Sequence, residues 1–311
     1  MSRISQTPVR GFVAALLSPL FLGIIPILAK LSFAAGAGVM TVVALRTLIA
    51  AMLLWVCIYL FARQHIVTST PAVFSSLLAG GINGVGSIFF YASLNRIDAS
   101  LGQLVNISYL VFVTLFLRLA GHQISWLTLG RVLLAVSAIY ILSRGGIGPP
   151  DWLGVGMMLL GALAYAAQLV LSQRVLYDVP APTFTLYALT AMAVVVSVAW
   201  LFTPAVGRGM PAASFSPIAW MGVATLLSRL TLFLGVKHLG SMQTALLGML
   251  EVLVTLAIAH TLLAERLTRL QWLGAGIILL SVFLVRFEQN VPRFIDWWAA
   301  IYNTRLRWPP H

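Results

Sequence analysis

One acidic residue stands in the middle of a long apolar stretch. Glu251 is preceded by 13 residues (238–250) and followed by 13 (252–264) that include no Asp, Glu, Lys or Arg. A charge at the centre of a bilayer costs about 2.5–3.5 kcal/mol on insertion scales, so such a residue usually serves a function. Glu251 could bind a cationic amine, or take up and release a proton that drives transport. The alternative is a buried ion pair that fixes helix packing.

Two arginines lie in other apolar stretches. Arg229 stands near the middle of the stretch 218–236, too far from either end to reach water, and so needs Glu251, a carbonyl or a bound anion as partner. Arg46 lies nearer the outer end of 39–61, where it could extend to the interface or join a site. Two guanidinium groups near one carboxylate suit a zwitterion, with its carboxylate on Arg229 or Arg46 and its ammonium on Glu251.

Amide and tyrosine side chains extend this candidate substrate site. Several recur at a spacing of three, which places them on one face of a helix. They line either a hydrated substrate path or hydrogen-bonded helix contacts. The set is Asn83, Gln103, Asn106, Tyr109, Tyr165, Gln168 and Gln243.

Catalytic and metal-binding patterns are missing from the sequence. It contains no HExxH, GxSxG or Walker A motif, and its 5 histidines are scattered without ligand spacing. We therefore expect no enzymatic activity, no cofactor and no metal.

The composition places these residues in a membrane. Apolar residues make up 60% of the 311 residues and charged residues only 8%, against about 25% in a typical soluble domain. This excludes a cytosolic enzyme, a secreted disulfide scaffold and a disordered regulator. The formal net charge of +12 comes from single cations at the ends of apolar runs, which is typical of membrane helices rather than of nucleic-acid binding.

The apolar runs predict ten membrane-spanning helices, since about 20 apolar residues cross a bilayer. They lie near 11–30, 39–61, 73–94, 101–118, 126–143, 152–173, 183–204, 218–236, 241–261 and 271–286. The connecting segments are too short to hold a soluble domain. The fold class expected is therefore an all-α integral membrane protein.

Lys and Arg counts in the loops favour both termini in the cytoplasm of a bacterial-type inner membrane. We expect a cytoplasmic N-terminus at 1–10 and a five-helix repeat at 11–143. A linker at 144–151 then leads to a second repeat at 152–286. The basic and aromatic tail 287–311 is either a helix on the inner membrane surface or a frayed end.

The two halves of the chain are similar to each other. Residues 87–117 match 228–258 at an offset of 141, including Ser87 with Ser228 and Arg96 with Lys237. An odd number of spans per repeat inverts the second repeat in the membrane, an arrangement typical of alternating-access transporters. The three charges break this symmetry: Arg46 falls on Thr190, Arg229 on Ile88 and Glu251 on Leu110.

Two segments resemble the EamA family of the drug/metabolite transporter superfamily. They are PILAKLSFAAGAGVMTVVALRTLIAAMLLW near the start and GVKHLGSMQTALLGMLEVLVTLAIAHTLLAERLTRLQWLGAGIILLSVFLV near the end. The likeness covers residues 11–286 and implies ten helices that move small metabolites across a membrane. The chain departs from the family pattern at Val252, where proline is frequent, at Ala264, where glycine precedes Glu265, and at His122, which stands at the first-repeat position of that Glu.

These observations predict a secondary transporter, an exporter of small polar metabolites such as amino acids. Its partners would be the substrate, the lipid bilayer and, if transport is proton-coupled through Glu251, protons; nucleic acid is not expected. One alternative is an exporter of lipophilic compounds or a flippase of lipid-linked substrates. Another, from a different class, is a membrane scaffold that transports nothing.

Overall fold

The computed structural model describes residues 7–66, 68–120, 151–203, 211–248 and 250–262, with isolated positions between 126 and 137 and between 268 and 280. The secondary structure in these ranges is helical throughout. Most of the predicted spans 126–143 and 271–286, the linker before Asp151 and the tail 287–311 lie outside the described residues.

Ten helical segments occupy the described ranges, and a 3-10 turn at Arg63–His65 follows the second of them. The segments of the first repeat are α1 (Thr7–Ala34), α2 (Val39–Phe61), α3 (Thr70–Leu94), α4 (Ala99–Asn106) and α5 (Tyr109–Leu119). Those of the second repeat are α6 (Trp152–Val175), α7 (Ala181–Leu201), α8 (Ala212–Leu239), α9 (Ser241–Gly248) and α10 (Leu250–Leu262).

Seven helical stretches in this part of the chain are long and apolar enough to cross a membrane, with mean hydropathies of 1.5 to 2.2. They match seven of the predicted spans, and α4 and α5 together form one of them, Ala99–Leu119. The prediction of an all-helical, multi-pass membrane protein is therefore confirmed. The count of ten spans and the inversion of the repeat stay predictions.

The predicted span 101–118 is divided into two helices. Ile107 and Ser108 form a turn that separates α4 from α5. Interrupted spanning helices are typical of transporter binding sites.

Local sequence explains several helix ends. Asp151 caps α6, because its side chain accepts a hydrogen bond from the Gly154 backbone N–H at 2.9 Å. Gly240 ends α8 with a φ of +83°, a conformation that favours glycine. Proline stands in the first turn of both α3 and α7, where its missing N–H costs nothing.

Helices of the two repeats interlock rather than pack as separate halves. The most extensive contacts join α1 to α8 and α3 to α6, and further contacts join α3 to α7 and α2 to α8. Replacing each helix by its counterpart in the other repeat converts the α1–α8 contact into the α6–α3 contact. It likewise converts the α3–α7 contact into the α8–α2 contact. The contact pattern thus has a pseudo-twofold character, and contacts between consecutive helices such as α1 and α2 are few.

Glycines allow the closest of these crossings. A Cβ on Gly80 of α3 would lie 2.1 Å from the Ala188 carbonyl oxygen of α7. A Cβ on Gly23 of α1 would lie 2.8 Å from the Glu251 carbonyl oxygen of α10. Small residues therefore bring backbones together where membrane helices cross. The second contact sets the position of Glu251 against α1.

Candidate functional site

A cavity lies where helices of both repeats meet. Its volume is about 70 Å³, which leaves room for about five water molecules. It is lined from α1, α2, α3, α4, α6, α8 and α10. Six of the predicted site residues line it: Arg46, Asn83, Asn106, Tyr165, Arg229 and Glu251.

Arg46 is held inside the protein by three neighbours. Only 3% of the residue is exposed. Its Nη1 donates to Thr225 Oγ1 at 2.9 Å and its Nη2 to Ser87 Oγ at 3.4 Å, and its Cζ lies 4.5 Å from the centre of the Tyr91 ring. The Nε is buried with no hydrogen-bond partner among the described residues. The guanidinium thus belongs to the cavity and does not extend to the membrane surface.

Arg229 has a similar environment from other helices. It is 8% exposed, its Nη1 donates to Gln168 Oε1 at 3.3 Å, and its Cζ lies 5.5 Å from the Tyr165 ring centre. Its Nε likewise finds no partner in the described part of the chain. Gln168 and Tyr165 both come from α6, one turn apart, as the predicted spacing of three requires.

Glu251 faces the same cavity from α10 and is 6% exposed. The side-chain amide of Gln103, on α4, is directed at its carboxylate. No nitrogen of either cavity arginine lies within 4.0 Å of a Glu251 carboxylate oxygen, and the ion pair of Arg96 with Asp151 lies away from this cavity. Neither arginine therefore forms a direct ion pair with Glu251.

The amide residues occupy two layers. Asn83 and Asn106 line the cavity, and the Nδ2 of Asn83 also lies 3.2 Å from the Met192 sulfur. Gln103 and Gln168 stand behind it and contact Glu251 and Arg229. The Oε1 of Gln103 is buried without a partner among the described residues.

Tyr109, another predicted residue, is not part of the described cavity wall. The Tyr109 hydroxyl donates to the Ala245 carbonyl at 2.9 Å, and its ring packs edge-on against Tyr165, with centroids 5.0 Å apart. Tyr109 therefore joins α5 to α9 and supports Tyr165 from behind. The side chain of Gln243 lies outside the described residues, although its backbone belongs to α9.

Several cavity residues do not stand out in the sequence. Ser87, Tyr91, Thr225 and Ser228 line the cavity, yet hydroxyl side chains are common in membrane helices and draw no attention there. One signal was available, because Ser87 and Ser228 are matched positions of the repeat. A pair of this kind at the interface of the halves marks the region of the pseudo-twofold axis.

The fold and the site together define a multi-pass membrane protein with charged side chains in a cavity between two repeats, which is the architecture of a membrane transporter. The chain matches the EamA-like transporter family over residues 9–144 and again over 152–287. It belongs to that family, and the resemblance noted in the sequence is confirmed.

A curated protein and a solved structure are similar to this chain. The chain is 25% identical over 211 residues to "Uncharacterized transporter YcbK" of Bacillus subtilis (strain 168), covering 62% of this chain and 67% of that protein. Its fold is similar to a solved crystal structure with a TM-score of 0.65 and 17% identity, over 93% of this chain and 100% of that one. The second likeness concerns the fold alone. A membrane transporter has a small-molecule substrate and a lipid environment as its partners.

Proposed function

We propose that this protein is a secondary transporter that moves small polar metabolites, such as amino acids, by alternating access. One observation carries the proposal: Arg46, Arg229 and Glu251 line a single cavity, and none of them is ion-paired to another. Charges of both signs that are buried but not neutralised by each other are suited to a ligand that carries both signs.

The arrangement suggests how a substrate is held. A substrate carboxylate accepts hydrogen bonds from Arg229 or Arg46, each of which keeps a buried Nε–H for this purpose. A substrate ammonium pairs with the Glu251 carboxylate. Asn83 and Asn106 supply further hydrogen bonds from the cavity wall.

The proposal includes export coupled to protons. Glu251 is the acidic residue among the described residues of the cavity lining, so it can exchange a proton with one side of the membrane and a substrate ammonium with the other. Proton entry down its gradient then drives substrate out. Glu251→Gln would abolish flux driven by a pH gradient, and full proton-linked flux in that variant would refute the coupling.

The proposed topology is ten helices in two inverted repeats, with both termini in the cytoplasm of a bacterial-type inner membrane. The two family matches and the pairwise exchange of contacts between repeats support it. In such an arrangement the halves rock about a cavity at their interface.

Counterflow in proteoliposomes tests the transport function. Purified protein is reconstituted with unlabelled amino acids inside, and uptake of labelled amino acids is measured for wild type, Glu251→Gln and Arg63→Gln. Arg63 follows α2 on the exposed surface, where its Nε donates to the Tyr59 carbonyl, so it serves as the matched charge-removal control. Uptake that requires internal substrate, is retained in Arg63→Gln and falls in Glu251→Gln would support the proposal.

A second candidate is an exporter of lipophilic compounds, or a flippase of lipid-linked substrates. The apolar and aromatic part of the cavity wall favours it: Leu22, Ile25, Phe90, Tyr91 and Tyr165. The same liposomes separate the two functions, because a lipophilic exporter would leave the amino-acid panel unexchanged while transporting a hydrophobic fluorescent cation. Activity toward neither would favour the non-transporting scaffold.

A further inference from the structure

The charges of the cavity do not cancel. Among the described residues that line it, those with a formal charge are Arg46, Arg229 and Glu251. Two cations and one anion leave a net charge of +1 when Glu251 is ionised. All three are more than nine-tenths buried, so water can solvate this charge only through the few molecules that the cavity holds.

A neutral amino acid leaves this excess in place. Its carboxylate satisfies one guanidinium and its ammonium satisfies Glu251, so the second guanidinium stays uncompensated in a low-dielectric region. A substrate with a net charge of −1 removes the excess. Because the cavity must enclose its substrate while the halves rock, neutrality of the loaded site favours the anionic substrate.

We propose that the substrate is a small amino acid with two carboxylates and one ammonium, of which aspartate is the simplest test compound. This inference rests on the proposed transport function and names its substrate class. Each substrate charge then meets one side chain of opposite sign. One carboxylate binds Arg46, the other binds Arg229, and the ammonium binds Glu251.

The two arginines are arranged as separate binding positions. Arg46 is held by Thr225 and Ser87 over Tyr91, whereas Arg229 is held by Gln168 over Tyr165. Each guanidinium is fixed by its own neighbours and each keeps a buried Nε–H with no protein partner in the described ranges. Two fixed donors at separate places suit two carboxylates on one molecule better than a single carboxylate.

Size limits the substrate further. A cavity of about 70 Å³ holds about five water molecules, which favours a small substrate over an aromatic one. Gly86 and Gly161 belong to its wall, and each lies against the other's helix, so the wall cannot retreat there without separating α3 from α6.

Counterflow with three probes of different charge tests the inference. Aspartate carries −1, alanine is a neutral zwitterion, and succinate carries −2 without an ammonium. We expect wild-type protein to exchange aspartate at least tenfold faster than alanine or succinate at equal concentration, and Arg63→Gln to keep this order.

Variants that change the net charge of the cavity should prefer a different probe. Arg46→Gln leaves the site neutral and should favour alanine over aspartate. Glu251→Gln leaves it at +2 and should favour succinate over aspartate. A gain of exchange for a new substrate cannot come from misfolding, and the melting temperature of each purified variant confirms that it is folded.

The outcomes separate the two proposals. Alanine exchanged as fast as aspartate by wild type would overturn the dicarboxylate inference and leave the amino-acid transporter standing. A preference order that the variants do not change would overturn it as well, because charge matching would then not determine selection. Exchange of none of the three probes would count against the proposed transport function and, with it, the inference.

Discussion

Thr225 controls the orientation of Arg46. Its hydroxyl accepts the Nη1 hydrogen bond at 2.9 Å, and hydrogen bonds to charged groups are worth about 1.5–3 kcal/mol. Thr225→Val keeps the shape and removes the acceptor, so a less restrained guanidinium should raise the KM for the exchanged substrate about tenfold or more. The maximal rate and the melting temperature should change much less.

Thr231→Val provides the matched control for this prediction. Thr231 lies on the same helix, α8, but its hydroxyl donates to backbone carbonyls of that helix. We expect its KM to equal that of wild type. Equal KM values for Thr225→Val and wild type would mean that Thr225 does not position Arg46 for substrate.

At the residue scale, the sequence identifies charged side chains, which are costly to place in a membrane, and misses hydroxyl side chains, which are not. Glu251 and Arg229 could be predicted because a charge at mid-span demands an explanation. For Arg46 the sequence left two interpretations open, a position at the membrane interface or a place in the site. Its hydrogen bonds to Thr225 and Ser87, which lie on two other helices, could not be predicted from its position in the span. Those hydroxyl residues, like Tyr91, gain their role only from tertiary contacts.

The crossing of α3 and α7 depends on the absence of a side chain at Gly80. A Cβ there would lie 2.1 Å from the Ala188 carbonyl oxygen, which is backbone and cannot rotate away. Gly80→Ala should therefore destabilise the protein by about 1–3 kcal/mol or more, as overpacking does. The melting temperature of the detergent-solubilised protein measures this effect.

Gly156→Ala on α6 makes the opposite prediction. Nothing lies within 4 Å of a Cβ at this position, so alanine only reduces the freedom of the unfolded chain. We expect an unchanged or slightly higher melting temperature, equivalent to about 0.4–1 kcal/mol of stabilisation. Equal melting temperatures for the two variants would contradict the close α3–α7 contact.

The beginning of α6 should respond to pH through Asp151. The backbone N–H of Gly154, and after it the Arg96 guanidinium, lower the pKa of Asp151 below its usual value. The stabilisation is therefore present when the carboxylate is ionised, and is lost as the pH falls through the lowered pKa.

Asp151→Asn isolates this effect. Asparagine can still accept the Gly154 hydrogen bond but cannot form an ion pair with Arg96. The melting temperature of wild type should exceed that of the variant at neutral pH, and the difference should shrink toward acidic pH. A difference that stays constant over this range would show that the charge of Asp151 adds nothing.

At the element scale, hydropathy was enough to find the seven spans of the described residues but not the interruption within one of them. The predicted span 101–118 corresponds to α4 and α5 with Ile107 and Ser108 between them, although no proline or glycine marks the division. Gln103 and Asn106 therefore lie on α4, and Tyr109 lies on α5. Asn106 lines the cavity, whereas Gln103 and Tyr109 stand behind it. Pro19 and Pro26, which predict a kink, both stand within the single helix α1.

The inverted arrangement of the whole molecule can be tested by labelling. The connection α1–α2 and the connection α6–α7 correspond in the two repeats, and Gly38 and Asp178 are exposed in them. Cys57 is the sole cysteine of the sequence, so Cys57→Ala gives a clean background. Gly38→Cys should react with an impermeant maleimide in intact cells, and Asp178→Cys only after permeabilisation.

Labelling of both positions from the same side would refute the inversion. The reverse pattern would keep the inversion and place the termini outside. The sequence predicts this topology because it predicts an odd number of spans in each repeat, but the weak Lys and Arg bias could not fix its direction. The contacts that join the repeats could not be predicted, since they depend on which small residues face each other across 100 or more positions, as Gly80 and Ala188 do.

The interlocking of the repeats has a consequence for biogenesis. Since α1 packs mainly on α8, and α3 on α6 and α7, the first helices to leave the ribosome have few partners among their immediate neighbours. They must wait in the bilayer, with Arg46 lacking Thr225 and Asn83 lacking Met192, until the second half of the chain is inserted. Membrane chaperones and quality-control proteases would meet this half-made intermediate, and a truncated first repeat should be degraded unless the missing half is supplied as a separate polypeptide.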